Sequence, residues 1–137
     1  MDLAFFSAGS EVAKEYAPKA VNKGCFVVDN SSCFRKDKTI PLIVPEVNGE
    51  ALTEDTVSGI VANPNCQTIQ MVVALKPLHD LFVIKRIDVT TFQAVSGSGK
   101  LAQDELQIQV GQELKGEKPS SNIYTKQIAF NVLPHCG

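Results

Sequence analysis

Three short apolar runs, each cut off by a polar turn, constrain this chain more than any other feature. They are LAFF (Leu3–Phe6) before SAGS, CFVVD (Cys25–Asp29) before NSSC, and IVAN (Ile60–Asn63) before PNC. Runs of this length bounded by turn residues read as buried strands. SEVAKEYAPKAVNKG joins the first two and reads as a helix, with Ser10 able to cap it and Gly24 able to end it. Pro18 inside that pattern argues against an unbroken helix. Strands that alternate with helices predict an α/β class with a largely parallel sheet in the first half.

Further on, PLIVPEVN (Pro41–Asn48) is bounded by prolines and reads as extended. GEALTEDTVSG is a polar, turn-rich connection. Pro64 to about Asp80 reads as a helix with Ile69, Val72, Val73 and Leu75 as apolar members. Ile84–Ser96 (IKRIDVTTFQAVS) is rich in β-branched residues and predicts a long strand. GSGKLAQDELQIQVGQEL reads as a glycine turn and a polar helix, GEKPSSN as a loop, and KQIAFNVLPH (Lys126–His135) as a last strand. The long strand after Cys66 suggests a second, more mixed layer that begins near Cys66.

The chain has 137 residues, 44% of them hydrophobic, and a net charge of -2. That charge gives a nucleic acid or an anionic membrane no electrostatic hold. No apolar run approaches the roughly 20 residues that cross a bilayer. The start, MDLAFFSAGSE, has no basic segment of the signal-peptide kind, so a cytoplasmic location is expected. The four cysteines, Cys25, Cys33, Cys66 and Cys136, are widely spaced, without C-x-x-C or a histidine cluster. Neither a metal site nor a disulfide framework is signalled.

Cys66 stands apart by position. Asn63 or Asn65 can cap the helix that follows, and Pro64 fits a first helical turn. A cysteine in that turn lies where unpaired amides and the helix dipole favour a thiolate, the nucleophilic form. On position alone a packed core thiol is the commoner role.

The motifs NSSCFRKD, VPEVN, ANPNCQTIQMVVALKPLHD and TFQAVSGSGK occur in the order and spacing of the aspartate-semialdehyde dehydrogenases. FSAG upstream and AFNVLPH downstream fit the same pattern. The chain resembles that family over essentially its whole length. The resemblance implies an NADP-dependent enzyme that interconverts aspartyl phosphate and aspartate semialdehyde in lysine, methionine and threonine biosynthesis. The implied fold is the second part of a Rossmann-like parallel sheet, residues 1–65, followed by the start of an α+β catalytic and dimerisation domain, residues 66–137.

By the same resemblance Cys66 is the nucleophile that forms an acyl-thioester, and Gln93 orients the acyl group. Arg35 binds the substrate phosphate, helped by Asn65. A guanidinium fork suits phosphate geometry. Ser7, Ala8 and Gly9 form a turn after a strand, as at a nucleotide site. Asn30 and Ser31 close the next strand, and Ser96 and Gly97 belong to a loop that approaches the cofactor. GSGKLA formally matches G-x-G-x-x-A. A phosphate-loop reading of GSGK fails, because Ala94 stands where the first glycine is needed and Leu101 follows the lysine. His79 and His135 fall outside the family's catalytic histidine motif and read as structural or surface residues. No metal is implied, and a homodimer is.

Two departures from the family pattern lead to an expected internal fragment with negligible turnover alone. The N-terminal dinucleotide fingerprint and the later active-site histidine and arginine are not among these residues. Gln67 stands where the family has a small hydroxyl residue. The open alternatives are a related reductase of N-acetyl-glutamyl phosphate and a non-catalytic dimerisation module.

Overall fold

The computed structural model describes residues 2–53 and 59–134, and the chain divides into two compact units between Thr90 and Thr91. The first unit is built on three parallel strands, β1 (Leu3–Phe6), β2 (Phe26–Asp29) and β3 (Ile60–Ala62), side by side in that order. Leu3 pairs with Phe26 and Val27 with Ile60. Helix α1 (Ser10–Val21) carries the chain from the end of β1 back to the start of β2, the crossover that parallel pairing requires. The expected α/β architecture with a parallel sheet is therefore present.

Burial follows the two periodicities. Ala13 and Ala17, one helical turn apart on α1, are almost wholly buried. Their small side chains let the helix lie close to the sheet. Ala17 meets Val27 and Ile60, with Phe6, Ala20, Val21, Phe34 and Ile40 packed around them. On β1, Leu3 and Phe5 alternate with this inward set and are exposed, Phe5 by 75%.

Pro18 does not interrupt α1, which runs on to Val21. Ser10 is the first helical residue and not the cap. Gly9 stands at the cap, and the Ser10 hydroxyl meets Ser32 Oγ at 3.0 Å. Gly24, with φ +81°, lies in the turn that ends the helix, where Cys25 N–H reaches Ala20 O and Gly24 N–H reaches Val21 O. Glycine adopts this left-handed backbone without the Cβ clash that other residues meet.

Gly59 has a stricter requirement. Its φ is +88°, and a Cβ there would lie 2.5 Å from Val21 Cγ1. Its carbonyl accepts from Val27 N–H at 2.7 Å, so the backbone at the start of β3 has no room to move aside. Gly59→Ala is expected to cost about 2–4 kcal/mol in urea unfolding, from left-handed strain plus overpacking. Gly24 has open space around its Cβ position, so Gly24→Ala is expected to carry the strain alone, about 1–2 kcal/mol.

Only part of Pro41–Asn48 is extended. Leu42 forms a parallel bridge to Ala62, and Pro45–Asn48 then turns into a short helix, α2. Pro45 occupies the first helical turn, where its missing N–H costs nothing. Val44 before it is extended, as a residue preceding proline prefers. Helix α3 runs from Cys66 to Phe82. Pro64 thus lies just outside it and not in its first turn. The helix closes on Val83 in the left-handed region, whose N–H bonds His79 O. Part of the expected GEALTEDTVSG connection, residues 54–58, lies outside the described residues; Gly49–Ala51 forms a 3₁₀ turn.

The expected strand over Ile84–Ser96 is absent. Residues 83–94 have no regular structure, and Val95–Ser98 form a 3₁₀ turn. The expected strand at Lys126–His135 is absent too: residues 127–134 form no strand, and His135 lies outside the described residues. β-propensity reports fit to a pleated neighbour and makes no strand without one.

The second unit shows where the backbone bonds go instead. Its helix α4 (Lys100–Leu114) buries Ala102, Glu105 and Gln109, while Leu101, Ile108 and Leu114 are exposed. The Glu105 carboxylate accepts from the backbone N–H groups of Asn122, Ile123 and Tyr124 at 2.6, 2.6 and 3.2 Å. The Gln109 amide donates to Ser120 O at 2.8 Å and accepts from Ile128 and Ala129 N–H at 2.8 and 3.1 Å. Amides that a strand would place in a ladder are bonded to α4 side chains.

Candidate active site

In the first unit the candidate residues gather at the carboxyl ends of the three strands, the edge where open parallel sheets bind ligands. Asp29, the last residue of β2, is fully buried. Its two oxygens accept from Ser31 N–H at 3.0 Å and Ser31 Oγ–H at 2.7 Å, and Ser31 Oγ accepts from Cys33 N–H at 3.1 Å. This turn fixes Asn30. The Asn30 amide donates to Ser7 Oγ at 3.4 Å and accepts from Asn63 Nδ2 at 2.6 Å. One side-chain chain thus ties together the ends of β1, β2 and β3.

Arg35 fastens the same edge through the backbone. Its Nε donates to Asn63 O at 2.8 Å, and its Nη2 donates to Asn30 O at 3.1 Å. It is not a solvated member of the RKDK charge run. Two of its five N–H groups hold the strand ends, and the plane of the guanidinium is set by them.

Cys66 opens α3 and is exposed. Asn65 is the cap, which resolves the choice between Asn63 and Asn65. Its Oδ1 accepts from Gln67 N–H at 3.0 Å and meets the Cys66 thiol at 4.0 Å. The cap spends a side-chain oxygen on one of the amides that every helix start leaves unpaired. Gln67 carries its backbone N–H into this cap.

The other described cysteines are less accessible. Cys25 and Cys33 are partly buried. Burial pushes the Cys33 thiol above the usual thiol range, and the neighbouring Asp29 charge adds to it. Cys136 lies outside the described residues.

Ala8 and Gly9 lie between β1 and α1, exposed, and Gly9 has φ +94°. The turn therefore offers the Ser7 hydroxyl, a left-handed glycine and a helix start at a strand end, groups that suit the polar part of a nucleotide.

The second unit carries Gln93, Ser96 and Gly97. Gln93 is exposed, and Ser96 and Gly97 lie in the 3₁₀ turn Val95–Ser98. Gly97 N–H reaches Ala94 O at 3.3 Å. The Gln93 side chain folds over Gly97: a Cβ on residue 97 would fall 2.7 Å from Gln93 Nε2.

Asp29 was not singled out from sequence, and Asn63 only as a possible helix cap, not as a link between strand ends. The signal for Asp29 is its place at a strand end two residues before a serine, the pattern of an Asx turn. Asn63 carries no such signal, because its partners Asn30 and Arg35 are 33 and 28 residues away.

A parallel α/β sheet with a polar strand-end site and an exposed cysteine at a helix start is the class of architecture this unit defines. Comparison with known proteins makes it specific. The semialdehyde dehydrogenase NAD-binding domain matches residues 1–55, and the semialdehyde dehydrogenase dimerisation domain matches residues 75–137. An aspartate-semialdehyde dehydrogenase of Legionella pneumophila is 58% identical over 135 residues, 98% of this chain and 39% of that protein. One from Shewanella violacea is 54% identical over 132 residues, again 39% of its length. The crystal structure of aspartate semialdehyde dehydrogenase II from Vibrio cholerae, complexed with ASA, superposes with a TM-score of 0.87 at 50% identity. That match covers 99% of this chain and 40% of that one. The chain belongs to the aspartate-semialdehyde dehydrogenase family. It spans about two fifths of the length of the curated relatives it matches.

Among the described residues no helix is long and apolar enough to cross a membrane. No cluster of three or more histidine, cysteine or acidic side chains there could hold a metal ion.

Proposed function

We propose that this chain carries the nucleophile and part of the anion site of an NADP-dependent aspartate-semialdehyde dehydrogenase, an oxidoreductase of lysine, methionine and threonine biosynthesis. The supporting observation is the exposed Cys66 at the start of α3, on a turn whose Asn63 carbonyl Arg35 holds at 2.8 Å. In this reading the Cys66 thiolate attacks the acyl carbon of aspartyl phosphate. A carbon–sulfur bond forms, the bond from the acyl carbon to the bridging oxygen breaks, phosphate leaves with that oxygen, and an acyl-thioester remains on Cys66. Bound NADPH would supply a hydride to the thioester carbon. Release of the thiolate then frees the aldehyde.

Arg35 and Asn65 receive the departing phosphate, and the Gln93 amide orients the acyl oxygen without adding charge. The residues assigned to the dinucleotide are Ser7, Ala8, Gly9, Asn30 and Ser31 in the first unit and Ser96 and Gly97 in the second. The reading divides the chain into a dinucleotide-binding part, residues 1–65, and a catalytic and dimerisation part from Cys66. It includes a cytoplasmic homodimer. The dimerisation-domain match and the exposed Leu101 and Ile108 on α4 support the dimer. The 137 residues alone are expected to turn over negligibly, since a nucleophile without its acid–base partner loses orders of magnitude.

The test joins the remaining segments of a relative to this chain and compares aspartyl phosphate with N-acetyl-glutamyl phosphate as substrates for NADPH oxidation. Preference for the second, or no acyl adduct on Cys66 by mass spectrometry, overturns the reading. In the same protein Arg35→Lys is expected to lower kcat/KM for the acyl phosphate about 10²-fold. Lysine keeps the charge but cannot hold two carbonyls and an anion at once. An unchanged kcat/KM removes Arg35 from the site.

A further inference from the structure

We propose that Gly97 is a positioning residue for Gln93: its missing Cβ is the space in which the Gln93 amide rests. This deepens the proposed function and rests on it for the role of Gln93. The contact itself stands on geometry alone. A Cβ at residue 97 would lie 2.7 Å from Gln93 Nε2 and 3.6 Å from Gln93 Cδ. The first distance is too short for any real contact, so amide and methyl cannot occupy their places together.

The reason for glycine here is the amide and not the backbone. Gly97 is not among the glycines with positive φ, unlike Gly99 at +88°. It sits in a 3₁₀ turn that an alanine can adopt, with its N–H on Ala94 O. The group in the way is the far end of a flexible side chain. Gly97→Ala therefore costs little in folding and displaces the Gln93 amide. A glycine that served only as a tight turn would show the opposite pattern, a folding cost with the amide undisturbed. Ala94 is extended and the chain then turns through Val95–Ser98, which leaves the Gln93 side chain lying over residue 97.

The test has two arms. In the 137-residue chain, the Gln93 side-chain amide resonance is followed by NMR in wild type and Gly97→Ala. A displaced amide resonance with an unchanged fold is expected; an unmoved one overturns the contact. In the protein completed with a relative's segments, Gly97→Ala is expected to lower kcat about tenfold, and to add no further loss in a Gln93→Ala background. Losses that multiply overturn the proposal, because Gly97 then acts independently of Gln93. If Gln93→Ala alone leaves kcat unchanged, the catalytic reading of Gln93 falls, and the resonance in the first arm still decides whether Gly97 seats the amide.

Discussion

Cys66→Ser is expected to lower turnover by about 10⁴-fold or more in the protein completed with a relative's segments, with the fold intact. The size follows from chemistry. A serine hydroxyl at the same atom is far harder to ionise than a thiol, and its ester would not offer the reactivity of a thioester. The substitution is small, and the helix start does not depend on it. The cap bond runs from Asn65 Oδ1 to Gln67 N–H, and the next helical bond from Asn65 O to Ile69 N–H. Binding of the acyl phosphate should persist while the acyl adduct vanishes from the mass spectrum. Cys33→Ser is the matched control. Its thiol is partly buried and pushed toward the protonated form by burial and by Asp29, so it cannot substitute for Cys66, and its loss should leave turnover near wild type. A Cys66→Ser protein with more than a few per cent of wild-type turnover would mean the reaction does not pass through a thioester at this residue.

The first unit was legible because its signals are local. Short apolar runs between polar turns define β1, β2 and β3, and an Asn-Pro-Asn-Cys turn announces the start of α3. The error at Pro18 has a simple cause. Proline removes one backbone bond, but α1 is packed against the sheet through Ala13 and Ala17, and that packing outweighs a local preference. The candidate site was legible in part. Cys66, Asn65 and Arg35 could be singled out as types suited to the chemistry. The contacts among Ser7, Asn30 and Asn63 could not be read, although each residue was named, because they meet only when three strands align.

The second unit defeated the sequence reading for the opposite reason. Ile84–Ser96 and Lys126–His135 look like strands because β-branched and apolar residues dominate them. The burial on α4 runs against the usual pattern, with Glu105 and Gln109 inside and Leu101 and Ile108 outside. Hydrophobic periodicity reports which face of a helix is apolar. It does not report that the buried face is polar and satisfied by a loop some 11 to 20 residues away.

That inverted helix supports the largest expected loss of stability. Gln109→Leu keeps the side-chain volume similar and removes every polar contact the amide makes. It leaves Ser120 O, Ile128 N–H and Ala129 N–H without their partner, and Ala129 is fully buried. Each orphaned group costs about 1–3 kcal/mol where water cannot reach it, so a total of about 3–5 kcal/mol is expected. Hydrogen exchange at Ile128 and Ala129 should speed accordingly, with the β2–β3 amides of the first unit unchanged. Glu105 gives the same argument a pH dependence. Burial raises its carboxyl, but the donors from Ile123, Asn122 and Tyr124 outweigh that and hold it below the usual carboxylate range. A carboxyl depressed in the folded state stabilises fully above its unfolded pKa, about 4.3, and that contribution is lost as pH falls through the folded value. Loop 120–129 should therefore loosen in acid before the sheet does. Glu105→Gln should abolish this acid step, because the amide carries no titrating proton. It should also destabilise at neutral pH, since an NH₂ would face one of the three donors. Identical acid profiles for wild type and Glu105→Gln would show that the carboxylate does not hold the loop.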